Sequence, residues 1–237
     1  MRTPDKPLDE LPAPQHLGVA GASAQREGAA RRARREKKRA DHEARVRERH
    51  PLIGGALLAL GGQPAVPQGE KAWAHGAAGE ERVGRYLDRE CPRVSILHDR
   101  RIPRSRANID HIVVTSKAVW VIDTKRYAGQ VKIHRPLFGQ PFLTVAGRKQ
   151  GKLLAGLDKQ VNVVRAAVVE LGITVKVRGA LCFIDADWPW FRRPQDLSGR
   201  WVGWPQALPE YLNAQGGLTE EGCHLITEHL AEIFKAA

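Results

Sequence analysis

Asp110, Asp123 and Lys125 are the residues of this chain whose types and spacing could do chemistry together. They sit in NIDHIVVTSKAVWVIDTKRY, residues 108–127, two β-branched and aromatic runs separated by a polar turn. A hairpin turning through Ser116 and Lys117 opposes Val114 to Val119, Ile112 to Val121 and Asp110 to Asp123. Side chains alternate along a strand, so both aspartates project from one face of the sheet, and Lys125 shares it. Opposed β-carbons lie about 5 Å apart, where like charges destabilise a sheet unless something compensates them. A divalent cation is the natural compensation. Two converging carboxylates suit Mg²⁺ or Mn²⁺, hard ions that keep sites for water and a phosphate. Such an ion polarises a scissile phosphate and lowers the pKa of an attacking water. Lys125, kept protonated by two adjacent anions, would orient that water and offset charge on the phosphorane, an electrostatic element and not a general base. The competing structural reading makes Asp110 a turn residue and Asp123 with Lys125 an exposed ion pair.

The elements that must position these residues follow from periodicity. A helix is expected over Gly76–Glu90, with Val83, Tyr86 and Leu87 apolar, then a strand at Val94–His98. After the hairpin strands, Ile109–Thr115 and Ala118–Asp123, come a weaker strand at Gln130–Ile133 and another at Phe142–Ala146. Leu153, Leu157, Val161, Val164, Val168 and Leu171 form a helical stripe that Gly172 can end. Val177–Ile184 reads as a buried strand and Glu220–Phe234 as a last helix. The expected class is α/β.

The chain has 237 residues, 42 % hydrophobic and 27 % charged, which excludes wholesale disorder. Its 38 Lys and Arg against 26 Asp and Glu give a net charge of +12, favouring a polyanionic partner. Much of the excess lies in REGAARRARREKKRADHEARVRERH, Arg26–His50, within a Pro, Ala and Arg-rich segment 1–70. That segment is expected to be a basic arm, disordered or helical, that meets phosphates or merely solubilises. Cys91, Cys182 and Cys223 lack zinc or disulfide spacing and point to a reducing, cytoplasmic setting. The longest apolar run, Leu52–Leu60, is too short to span a bilayer. Walker-type, HExxH and GxSxG motifs are absent, against NTPase, zinc-peptidase and hydrolase-fold alternatives.

GAAGEERVGRYL (Gly76–Leu87), IDHIVV (Ile109–Val114) and VWVIDTKRYAGQV (Val119–Val131) together resemble the NERD domain, a nuclease-related domain of the PD-(D/E)xK nuclease superfamily. The resemblance spans roughly residues 73–185. It implies a restriction-endonuclease-like core of helix, three-stranded meander, helix and strand, with Asp110 and Asp123 as metal carboxylates and Lys125 as active-site lysine. It also implies Glu80 and Gln160 as accessory polar groups from two helices, Glu80 among the metal ligands. NERD sequences commonly carry Glu where this chain has Asp123, one methylene shorter. Spacing agrees with the helical pair: Glu80 borders the stripe of Val83 and Leu87, and Gln160 lies on the stripe of Leu157 and Val164.

Other polar groups fall nearby. Arg100, Arg101, Arg104 and Arg106 precede the Asp110 strand and are candidate phosphate contacts, whereas His111 faces away from Asp110 and is not assigned as a ligand. Trp188, Trp190, Trp201 and Trp204 are expected to cover the core, with base stacking the lesser reading. The resulting expectation is three segments: the arm 1–70, a nuclease-like domain 71–185, and a Trp-rich extension 186–237. The function expected is Mg²⁺ or Mn²⁺-dependent hydrolysis of phosphodiester bonds in nucleic acid, DNA before RNA. A catalytically silent nucleic-acid-binding module of the same fold is the alternative.

Overall fold

The computed structural model describes residues 13–49, 51, 68–188 and 193–237, and side chains from residue 76 onward in the helix that begins at Gln68. The elements in order are β1 (His16–Leu17), α1 (Ala22–Arg49), α2 (Gln68–Glu90), β2 (Ser95–Arg101), β3 (Asn108–Val114), β4 (Ala118–His134), β5 (Phe142–Val145) and β6 (Arg148–Lys149). They continue with α3 (Gly151–Glu170), β7 (Lys176–Asp187), β8 (Gln195–Leu197), β9 (Arg200–Gly203), α4 (Leu208–Leu212) and α5 (Glu220–Ile233). The architecture is mixed α/β. One sheet runs β1-β2-β3-β4-β7-β9-β8, with β5 and β6 branching from β4. The meander β2, β3, β4 is antiparallel, while β4, β7 and β9 are parallel.

Alternation along the central strands builds two cores. Ile112, Val114, Val119, Val121, Leu181 and Phe183 face α3 and α5, meeting Val164, Ile226 and Leu230. Val113, Trp120, Ile122, Cys182 and Ile184 face the other way, onto Val83 and Leu87 of α2 and Leu208 of α4. Both cores are largely apolar, and the central stretches of the parallel strands, AVWVI of β4 and ALCFI of β7, read as hydrophobic runs because helices cover both of their faces.

The hairpin register is the one its turn implies: His111 opposes Ile122, Ile112 opposes Val121 and Val114 opposes Val119. Thr115 closes the turn, its hydroxyl donating to the Ala118 carbonyl at 2.9 Å. Several boundaries differ from expectation. The strand expected at Ala118–Asp123 and the weak one at Gln130–Ile133 are one strand, because a bulge between Arg126 and Gly129 absorbs the break in alternation. Gly129 sits there at φ +94°, against Ala146. α2 begins eight residues earlier than expected, at Gln68. Beyond β7, β8 and β9 extend the sheet and were not expected, since runs of three and four residues carry no periodicity.

Part of the basic arm is docked on the body. His16 and Leu17 pair in parallel with Ile96 and Leu97, Ala20 and Ala24 are buried, and the Ser23 hydroxyl donates to Asp99 at 2.7 Å. These contacts rest on single small residues, which left no apolar stripe to read. The apolar run Leu52–Leu60 and Trp190 lie outside the described residues. Trp201 is buried, and Trp188 packs on Trp204 with ring centroids 5.0 Å apart. Among the described residues no helix is long and apolar enough to cross a membrane.

Gly84 marks the closest approach of α2 to the docked segment, where a β-carbon would collide with the Ala20 side chain. Gly84→Val is therefore expected to cost about 1–3 kcal/mol of stability, the usual size of overpacking. Urea unfolding of the full chain measures it, and an unchanged midpoint would show that residue 20 does not pack there.

Candidate active site

Alternation places Asp123 and Lys125 in series with Val119 and Val121, on the α3 face of β4. Asp110 precedes Ile112 and Val114 on the same face of β3. The core-facing side of each strand therefore runs from an apolar interior into a polar end. There the Thr124 backbone N–H donates to Asp110 Oδ2 at 2.7 Å, which ties the two strands together through one carboxylate. Lys125 Nζ donates to Asp123 Oδ1 at 2.6 Å. Asp123 is 5 % exposed, so this is a buried carboxylate with its cation beside it, not the surface ion pair of the competing reading.

Glu80 reaches the cluster from α2 and Gln160 from α3. Burial raises the Asp110 pKa well above the ordinary carboxyl range, and the charges of Glu80 and Asp123 push it further. Asp123 is also raised by burial, against the pull of Lys125 and a hydrogen bond from Gln160. Glu80 is raised to about 7, by burial first and then by Asp99 and Asp123. Burial lowers the Lys125 pKa, but Asp123, Asp110 and Glu80 outweigh it and hold the ammonium above its usual value. Three carboxyls thus share one cation, and the site is short of positive charge.

That deficit tests whether the residues suit a metal ion. The donors are all oxygen, the preference of Mg²⁺ and Mn²⁺. Gln160 Oε1 is buried without a partner, as an acceptor awaiting a bound water or ligand would be. Among the described residues no three His, Cys, Asp or Glu side chains are already drawn into a coordinating group. What suits these residues to a cation is their donor chemistry and their uncompensated charge, not a preformed coordination group.

The other sequence candidates fall elsewhere. Arg100 lies within β2 and is 5 % exposed, with Nη1 donating to the Phe234 carbonyl at 3.4 Å. It was expected in a phosphate-facing loop; β2 is longer than its apolar run and carries it inside. Arg101, Arg104 and Arg106 are exposed. His111 faces away from Asp110, as expected, and joins a buried chain that sequence reasoning missed. His98 Nε2 meets Asp88 Oδ1 at 2.9 Å, His98 Nδ1 meets His111 Nδ1 at 2.9 Å, and His111 Nε2 meets Thr124 Oγ1 at 3.4 Å. Burial lowers the pKa of both rings, which favours their neutral forms. One proton arrangement then serves every contact: Thr124 donates to His111, His111 to His98, and His98 to Asp88. Thr124 is held on its side chain by this chain and spends its backbone N–H on Asp110. Only the β2–β3 register, in which His98 opposes His111, could have signalled it.

The family model for NERD, the nuclease-related domain, matches residues 75–184. Comparisons with curated proteins and with solved structures each found no match.

A carboxyl whose pKa is raised on folding binds its proton more tightly in the folded state, so stability falls as pH rises from the unfolded value toward the folded one. For Glu80 that window runs from 4.5 to about 7. Without divalent ions the melting temperature is expected to fall between pH 5 and pH 7.5, and the fall to be shallower in Glu80→Gln. Millimolar Mg²⁺ or Mn²⁺ should raise the melting temperature more at pH 7.5 than at pH 5. Differential scanning fluorimetry reads both, and a pH-independent metal effect would contradict Glu80 as a ligand.

Proposed function

We propose, taking the nuclease-related domain over residues 75–184 as premise, that this chain hydrolyses phosphodiester bonds in nucleic acid, DNA before RNA, with Mg²⁺ or Mn²⁺. The observation that carries this reading is the junction of Asp110, Asp123, Glu80 and Lys125 at the polar end of an otherwise apolar hairpin, with too little positive charge for its carboxyls. Asp110, Asp123 and Glu80 would hold the ion. When bound, it supplies polarisation of the scissile phosphate and a more acidic water.

The chain's own groups do the remainder. Asp123 fixes the Lys125 ammonium at 2.6 Å, so Lys125 enters the reaction already oriented and charged. It is placed to hold the attacking water by one N–H and to offset charge that grows on the phosphate oxygens. The free Gln160 carbonyl oxygen can accept a hydrogen from the same water and turn its lone pair toward phosphorus. Apolar walls from Val121, Leu181 and Phe183 exclude bulk water and strengthen these electrostatic terms. The three free cysteines suit a reducing compartment such as the cytoplasm.

α1 supplies general affinity. It carries most of the basic residues of the arm as a 28-residue helix, a continuous cationic rod beside the body. Its contacts would be with phosphates, without base specificity.

Two measurements test the reading. Cleavage of labelled DNA and RNA should need Mg²⁺ or Mn²⁺, vanish in Asp123→Ala, and fall about 10²–10³-fold in Lys125→Ala, the usual scale for one lost electrostatic stabiliser. Turnover that persists in excess chelator or in folded Asp123→Ala would refute it, and tight binding without turnover under any divalent ion would favour the silent module. In the second, neutralising Arg34, Lys38, Arg45 and Arg49 to Gln should flatten the dependence of log K on log salt by about 0.9 per lost phosphate contact. Filter binding between low and physiological salt reads the slope.

A further inference from the structure

β4 runs on past the site into a hairpin with β5 whose tip is apolar and bare. Leu137 is 98 % and Phe138 92 % exposed, between Pro136 and Gly139, which turns the chain at φ +101°. Single exposed hydrophobes are ordinary, but two adjacent large ones standing almost wholly in water are not. The hairpin that presents them is braced. Val131, Leu143 and Val145 root its base in the main core, and the Arg135 guanidinium clamps it to β8 by donating to Gln195 Oε1 at 3.1 Å and the Asp196 carbonyl at 2.9 Å. His134 stacks on Phe142 at 4.6 Å, with Lys149 Nζ 4.5 Å from the centre of the same ring. The hairpin that carries the tip is therefore anchored at its base and along one side.

Its surroundings identify what it meets. Between Asp123 and Asp158 the chain has no acidic residue and seven Lys or Arg, of which Lys125 and Arg126 are ion-paired to Asp123 and Asp185 and Arg135 is held by β8. Lys132, Arg148 and Lys149 are exposed around the hairpin. A cationic collar below a Pro-Leu-Phe point matches a polyanion that has an apolar interior open at its steps, which describes stacked base pairs between phosphate strands. We propose that this tip is a wedge that enters a base step of duplex nucleic acid, while the collar holds the flanking phosphates. The wedge lies just past the end of the strand that carries the proposed reacting residues, so the chain between them limits their separation. From Lys125 to Phe138 it spans at most about 44 Å, on the order of thirteen base-pair rises. The substrate of the site is thus duplex locally unstacked within roughly one and a quarter helical turns of the cut. This rests on the nucleic-acid reading above, but not on catalysis.

Binding of the full chain to duplexes carrying a single 2-aminopurine, in excess chelator so that nothing is cut, tests it. The wild-type protein should raise the fluorescence several-fold at the step it enters. Leu137→Ser with Phe138→Ser, a change confined to solvent, should leave the circular dichroism and the salt dependence of binding unchanged, abolish the fluorescence rise and weaken duplex binding about tenfold, the scale of a lost stacking contact. Binding with no fluorescence rise at any step, or an equal rise in the double variant, overturns the wedge and leaves the nuclease reading standing. No salt-sensitive nucleic-acid binding overturns both. Wild-type flotation with anionic vesicles that the double variant loses, in place of duplex unstacking, assigns the tip to a membrane and also overturns the proposal.

Discussion

The structure turns on one imbalance. Three carboxyls, Glu80, Asp110 and Asp123, are brought out of bulk water around a single ammonium, Lys125. Burying unpaired charge is expensive, and protons or a cation must make up the difference. The fold supports this arrangement by investing its apolar surface elsewhere. Two separate cores, one on each side of β4 and β7, hold the strands in place so that their polar ends cannot relax apart. Asp110 and Asp123 come to the same face and the same end of the sheet because the hairpin register runs toward them, and that register is in turn set by which side chains must face which core.

A second polar system lies on the opposite side of the same hairpin. The Asp88–His98–His111–Thr124 chain satisfies every nitrogen it contains, in contrast to the undercompensated carboxyls. Thr124 belongs to both. Its backbone serves the charged cluster and its hydroxyl serves the neutral one, so a satisfied network holds an unsatisfied one in position. Gly84 makes room for this system, its missing side chain facing the His98 and His111 rings as well as Ala20.

What could be read in the sequence was whatever repeats at a short period. The alternation in IDHIVV and VWVID gave the hairpin, its register and the shared face of Asp110, Asp123 and Lys125. The stripe from Leu157 to Val168 gave α3 and with it the position of Gln160. Interactions made by single residues far apart in the chain left no such pattern. Ser23 on Asp99, Gly84 against Ala20, Arg100 inside the sheet and His98 opposite His111 depend on long-range registers that only the assembled sheet defines. The continuity of β4 was hidden for the opposite reason: a bulge is one residue of broken alternation, and alternation was the signal being followed.

The joint at Asp99 sets the mechanics of α1. The Ser23 hydroxyl and the Asn108 amide both close on its carboxylate, beside the corner where β2 returns into β3. Twenty-eight helical residues reach about 42 Å from that joint. A rod that long is a lever: a tilt of roughly 10° at its seat carries the far end about 7 Å. Any such tilt at the β2–β3 corner, two residues from Asp110, would carry the far, cationic end of the helix through more than the length of a side chain.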